Sequence, residues 1–480
     1  MQNNPNYLLK KIYLIVTVQF VYSLLNIALS NNKSEDIQLL TYNYDVNITT
    51  CKIDYFCQNQ IKPIPINREN YRKKSAKDIE NAKKTFKLSL ENQNMTTIPE
   101  NVFSCYNLQY LDLSNNNLSK LPKEITNLVN LKTIKLSKNQ FKQFPIELLE
   151  LPNLREIDLS NNYIQIIDVD FSKLYYLEEI NLSSNQIEKI KNSFEQNNHL
   201  KYINLSNNKL DYFHFKVSPY TETINLSNNK IAIIPPDISK LSNLKKLYLS
   251  DNYITELPKS FCLLSNLYDL NLSSNEISLL DNSFYKLQSL CTLNISANRF
   301  RNLPQQIKNM VNLQYVSIAY SKTRIIPLQI FSLINIKYLN ISGNHLTTLP
   351  VEFLNLINIE DIDLSFNNFK TIPSCIFELN NLKHLNASNN FIRNISPEIR
   401  KLNKIISLNL INNNIIEIPY EIANLTNCKI MLLSGNKLKY LPSTIEKLIK
   451  LKILDLKNNM LSDSEKSKIK QSLNKVYLTF

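Results

Sequence analysis

Glycine is nearly missing from this chain: Gly343 and Gly435 are its only two in 480 residues. Phosphate-cradling loops and dinucleotide fingerprints need several glycines so that backbone can approach the ligand closely, which excludes the nucleotide-binding folds. Tryptophan is absent, and the four histidines (His199, His214, His345 and His384) stand far apart. No metal cluster and no cofactor is expected from them. No Cys, Ser or Lys sits in a nucleophile context, so the chain is not expected to be an enzyme. Cysteines number seven, an odd count. Cys51 and Cys57 form a close pair and are a candidate disulfide if the chain is secreted.

What is abundant is Asn, Ile, Lys, Tyr and Leu, with a net charge of +14. Such a charge invites a nucleic-acid or acidic-membrane reading, and where the charge lies decides between them. Lys10 and Lys11 precede an apolar stretch, Ile12 to Leu29, that ends in Ala28-Leu29-Ser30. Residues 1–30 read as a cleaved secretory signal, with an uncleaved membrane anchor or a chance apolar terminus on a cytoplasmic protein as alternatives. Residues 31–86 form a polar leader. Within it and just beyond, Lys62 to Lys87 holds nine bases against Glu69, Asp78 and Glu80. Ile79, Ala82 and Phe86 recur at helical spacing there, which suggests a basic cap helix or a surface for acidic lipids.

From Leu88 onward one register governs the chain. Taking the first residue of each Leu-x-Leu pair as position zero, units begin at Leu88, Leu111, Ile134, Ile157, Ile180, Ile203, Ile224, Leu247, Leu270, Leu293, Val316, Leu339, Ile362, Leu385, Leu408, Met431 and Leu454. Each interval is 23 residues, except that the unit at Ile203 is two residues short. The alternating pair marks a short strand with its apolar side chains turned inward. Eleven units place Pro after the next apolar position, from Pro99 to Pro442, and the Ile-x-x-Leu that follows has the spacing of a short helix or 3-10 turn. A unit this small cannot bury its own apolar face, so stability must come from stacking neighbours. Residues 462–480 supply a capping-box start, Ser462 to Glu465, and a final strand-like Val476 to Phe480.

The spelling Leu-x-x-Leu-x-Leu-x-x-Asn-x-Leu-x-x-Leu-Pro-x-x-Ile-x-x-Leu resembles the leucine-rich repeats of the Ras-associated group: the Ras suppressor protein, the Ras–Raf scaffold, the Scribble/Erbin family and plant Ras-group repeat proteins. The resemblance covers residues 87–461. It implies an α/β solenoid of about 17 repeats, a curved horseshoe with an inner parallel sheet and short helices or 3-10 turns on its convex side. It also implies that the Asn five residues after each start turns inward and satisfies the backbone of the turn. Those residues are Asn116, Asn139, Asn162, Asn185, Asn208, Asn229, Asn252, Asn275, Asn298, Asn344, Asn367, Asn390, Asn413, Asn436 and Asn459, with Gln93 and Ser321 as departures. Relatives of this kind are mostly intracellular scaffolds, which pulls against the secretory signal.

In such a horseshoe, positions −1, +1 and +3 face the concave surface. They hold nine acids against four bases, which opposes a nucleic-acid groove and favours another protein as partner. The candidate contact residues are Glu156, Asp158, Glu179, Tyr202, Tyr248, Asp269, Tyr315, Tyr338, Asp361 and Asp363. Of these, Glu156, Asp158 and Glu179 form the densest acidic cluster, and Tyr supplies contact area with a polar tip. Two irregular places stand out: the short unit, with His199, Tyr212 and His214 nearby, and Val316 to Pro327, where the Asn and Ser spelling is lost.

Overall fold

A computed structural model describes residues 85–191, 194–213, 216–300 and 302–480. The signal, most of the leader, Cys51 and Cys57, the basic run up to Lys84 and His214 lie outside the described residues. The rest is one curved stack. Eighteen strands, seventeen of them from Lys87–Ser89 to Ile453–Asp455 and the last Tyr477–Thr479, form a single parallel sheet. Each strand is three residues long, and equivalent positions of successive units pair directly, as in Tyr110↔Thr133, Leu111↔Ile134 and Asp112↔Lys135. The central residue of each described strand from Tyr110–Asp112 to Ile453–Asp455 is buried in the continuous core.

Local chemistry explains the turn that follows each strand. Position +4 has a left-handed φ in most units, and both glycines of the chain, Gly343 and Gly435, occupy it. Elsewhere Asn takes this conformation most often, the residue type that bears a positive φ at least cost after glycine. The next residue is the ladder Asn. Asn139 is representative: its Oδ1 accepts from Leu118 N at 2.9 Å, and its Nδ2 donates to Leu113 O at 2.9 Å and Leu136 O at 3.1 Å. Each buried amide therefore ties its own turn to that of the preceding unit.

On the convex side, Pro stands just before a 3-10 turn in eleven units, with φ between −54 and −79. Asp168 and Lys191 hold the equivalent position in two units that lack Pro. Their backbone N–H groups are free to pair, and Ile166–Ile167 and Lys189–Ile190 form a small second parallel sheet. Asp168 and Lys191 themselves form an ion pair at 2.6 Å. At the far end, the helix Asp463–Ser472 is capped by Ser462, which accepts from Glu465 N at 3.2 Å. The strand Tyr477–Thr479 then pairs with Ile453–Asp455, so the last repeat strand is not left as an open edge. No helix among the described residues is long and apolar enough to cross a membrane.

Candidate protein-binding surface

Position +3 departs from the expected picture of a contact residue. Its backbone N–H is held by the side chain at +1: Ser114 N donates to Asp112 Oδ1 at 2.9 Å, Ser160 N to Asp158 Oδ1 at 2.9 Å, and Ser365 N to Asp363 Oδ1 at 2.8 Å. Asn does the same at 181, 204, 225, 271, 294, 340 and 386. The monotonous Asn/Asp at +1 and Ser at +3 are thus a turn-closing device. Asp112, Asp158, Asp363 and Asp455 each spend an oxygen on it. The count of available acids on the concave face falls accordingly.

Four of the ten candidates are closed off. Tyr248 (5% exposed), Asp269 (6%), Tyr338 (6%) and Asp363 (2%) lie among their neighbours rather than in solvent. Neighbouring parallel strands stand about 4.8 Å apart, so large side chains at equivalent positions of successive units cover one another. Tyr248 donates its hydroxyl to Asp269 Oδ2 at 2.8 Å, so this pair partly satisfies itself. Burial raises the Asp363 carboxyl to about 6, against the lowering effect of its Ser365 bonds. Glu156, Asp158, Glu179, Tyr202, Tyr315 and Asp361 keep solvent contact.

Two places on the inner sheet set accessible acids beside aromatic and basic side chains. Glu156 and Glu179 face each other in register on adjacent strands, an arrangement of like charges that opposes sheet pairing. Lys135 approaches Glu156 at 3.8 Å. Burial first, then the charges of Glu156 and Glu178, push the Glu179 carboxyl upward. Beside them Tyr110 receives Lys87 over its ring at 4.3 Å and Lys135 at 5.9 Å, so this end of the sheet already holds cations against an aromatic face.

The second place is the run Tyr315, Tyr338, Asp361 and His384, which are register neighbours on four strands. The Tyr315 and Tyr338 rings lie 6.3 Å apart, and His384 Nε2 is 3.9 Å from Asp361 Oδ1. Burial, then Glu360, raises Asp361 to about 7, while burial, then Lys383, lowers His384 to about 4. The folded chain holds the Asp361 proton between about pH 4 and 7, where the unfolded chain releases it. Stability from this group is therefore present at low pH and lost as pH rises through 7. His384 acts oppositely, losing stability as pH falls from 6.5 toward 4. Asp361→Asn is expected to stabilise the chain by ~1–2 kcal/mol at pH 8, with the advantage shrinking toward pH 4. Thermal melts of both chains from pH 4 to 8 check this, and a pH-independent difference would contradict it.

A second asparagine ladder escaped the sequence reading. Four residues before most strand centres an Asn donates its amide to a carbonyl of the preceding unit: Asn130 to Tyr106 O, Asn243 to Pro219 O, Asn335 to Val311 O and Asn427 to Asn403 O, at 2.7–3.0 Å. Its signal was the recurrent Asn-Leu pair at that offset. Tyr176, His199 and Tyr220 interrupt it beside the short unit, where Tyr175, Tyr176 and His199 pack with ring centroids 5.0–5.8 Å apart. Among the described residues no group of three His, Cys, Asp or Glu could hold a metal ion.

Comparison with known proteins agrees with this architecture. The leucine rich repeat family matches residues 86–141, 152–210, 219–277 and 334–392. A leucine-rich-repeat protein of Leptospira interrogans is 29% identical and superimposes with a TM-score of 0.68, covering 84% of this chain and 98% of that one. A TDR receptor is 25% identical with a TM-score of 0.56, covering 80% and 70%. The functional domain of InlJ from Listeria monocytogenes, at 18% identity and a TM-score of 0.56 over 72% and 73%, shares the fold alone. No curated protein matches the chain.

Proposed function

We propose that this leucine-rich-repeat solenoid is a binding module whose inner sheet receives a basic segment of a partner protein at Glu156 and Glu179. Leucine-rich repeats are typically non-enzymatic protein-interaction modules. The observation that carries the reading is the in-register pair Glu156↔Glu179. Two accessible carboxylates on adjacent strands repel each other and leave a negative spot that a Lys or Arg side chain relieves. Asp158 adds charge at its margin while closing its own turn, and Tyr202, the next residue in the register, offers a flanking aromatic. Charge reversal at Glu156→Lys and Glu179→Lys is expected to weaken partner capture at least tenfold with the thermal melt unchanged. Equal recovery of the partner by wild type and variant in quantitative affinity purification would overturn the assignment.

We place the module in the secretory pathway or outside the cell. The Lys10-Lys11 start, the apolar Ile12 to Leu29 stretch and the small residues at its end support this, and the likeness to a TDR receptor accords with it. The mature chain is expected to begin near residue 31. An intact Met1 on a cytosolic protein would instead favour the intracellular scaffold role that the Leu-Pro-x-x-Ile spelling of the Ras-associated repeats supports.

A further inference from the structure

The eleventh unit, at Val316, combines three features. Its ladder position holds Ser321, whose hydroxyl reaches Ile318 O and Ala319 O only at 3.3 Å. Beside it is a small notch lined by Ile295, Phe300, Leu303, Ile318, Ser321, Thr323 and Pro327. The turn above it is rearranged, since Lys322 at +6 takes a left-handed φ of 54. The first unit, which carries Gln93 in place of the Asn, does the same at Asn94.

The second feature is electrostatic. No Asp or Glu occurs from Asn282 to Val351, a stretch of 70 residues with seven bases. Arg299 and Lys322 hold the same position in successive units, so they stack on the edge around the notch, and Arg324 lies two residues further along the same turn. All three are exposed. Arg299 is engaged by Glu276 at 3.2 Å, from the unit before the acid-free stretch. The third feature is apolar: Ile325 is 74% exposed and Leu328 49%, beside the same turn.

We propose that the turn edge of the eleventh unit is a second docking site, which takes an acidic peptide segment carrying one small apolar side chain. The basic rim attracts carboxylates, and the exposed Ile325 and Leu328 beside it give an apolar side chain a seat that a bare polyanion does not use. The site lies on the edge of the horseshoe, apart from the acidic pair on the inner sheet, so the two surfaces select partners of opposite charge.

Panning a phage-displayed random peptide library on the full chain tests this. Enriched peptides are expected to hold two or more Asp or Glu around an aliphatic residue. Their binding should fall at least tenfold on Lys322→Glu/Arg324→Glu, and severalfold on Ile325→Ser/Leu328→Ser, which removes the apolar seat without altering charge. Circular dichroism of both variants should match wild type. The proposal is overturned if acidic peptides are not enriched, or if both variants bind them as wild type does. It is equally overturned if heparin or an oligonucleotide competes while replacing the aliphatic residue by Ala leaves affinity unchanged. Self-association of the chain that the peptides displace would likewise assign the edge to a second copy instead.

Discussion

Asn275→Ala is expected to destabilise the solenoid by on the order of 3–5 kcal/mol. Asn275 is 7% exposed. Its Oδ1 accepts from Ile254 N at 3.0 Å, and its Nδ2 donates to Leu249 O at 2.9 Å, Leu272 O at 3.0 Å and Ser273 O at 3.2 Å. Truncation strands an N–H and a carbonyl of the preceding unit inside the stack and leaves a void. Each buried unsatisfied group costs about 1–3 kcal/mol. Because each unit contacts only its neighbours, the damage should be local: amide exchange should accelerate in units eight to ten before the ends open. Asn275→Ser should cost less, because the hydroxyl at Ser321 shows a partial substitute making two long bonds. Equal melting of Asn275→Ala and wild type would refute the account of the ladder.

Much of this was legible because the repeat states the same physics seventeen times. The Leu-x-Leu pair fixed which side chain is buried in each strand, and the inward Asn followed from the resemblance the spelling carried. The convex strands at Ile166–Ile167 and Lys189–Ile190 were not legible, since Asp281 and Ser396 also stand where other units have Pro yet precede 3-10 turns.

What stayed hidden depends on neighbours in space. Asp158 and Asp363 look like surface acids in sequence, yet each closes a turn two residues on, because the +3 N–H points back at the +1 side chain. Tyr248 and Tyr338 occupy positions that alternation assigns to the open face, yet both are buried, Tyr248 against Asp269 and Tyr338 beside the Tyr315 ring. The second asparagine ladder was spelled out as Asn-Leu but absorbed into the helical spacing of the preceding Ile-x-x-Leu. Polar repetition in this chain is therefore mostly structural, and the two contact surfaces proposed above lie where the spelling is free, at Glu156 and Glu179, or lost, at Ser321.

Phe171→Ala carries the second large expectation, a loss of about 3–5 kcal/mol. Phe171 is fully buried at the point where the convex side changes from 3-10 turns to extended chain. Its ring stacks on Phe194 with centroids 4.4 Å apart and meets Phe144 edge-on at 5.3 Å. Three successive units thus share one aromatic spine, and it spans the region where the Leu-Pro spelling lapses and the short unit begins. With no proline at the convex turn of the second and third of these units, the spine compensates by large apolar contact. Phe171→Leu, which keeps most of that volume, should cost much less. Removing Phe194 as well should cost less than the two single losses together, by about 0.5–1.5 kcal/mol, since the stacking is lost only once. Denaturant titration of the two single variants and the double variant measures this coupling. Strict additivity would mean that the rings fill space independently, and the transition between the two convex architectures would then rest on the Asp168–Lys191 pair and the small second sheet alone.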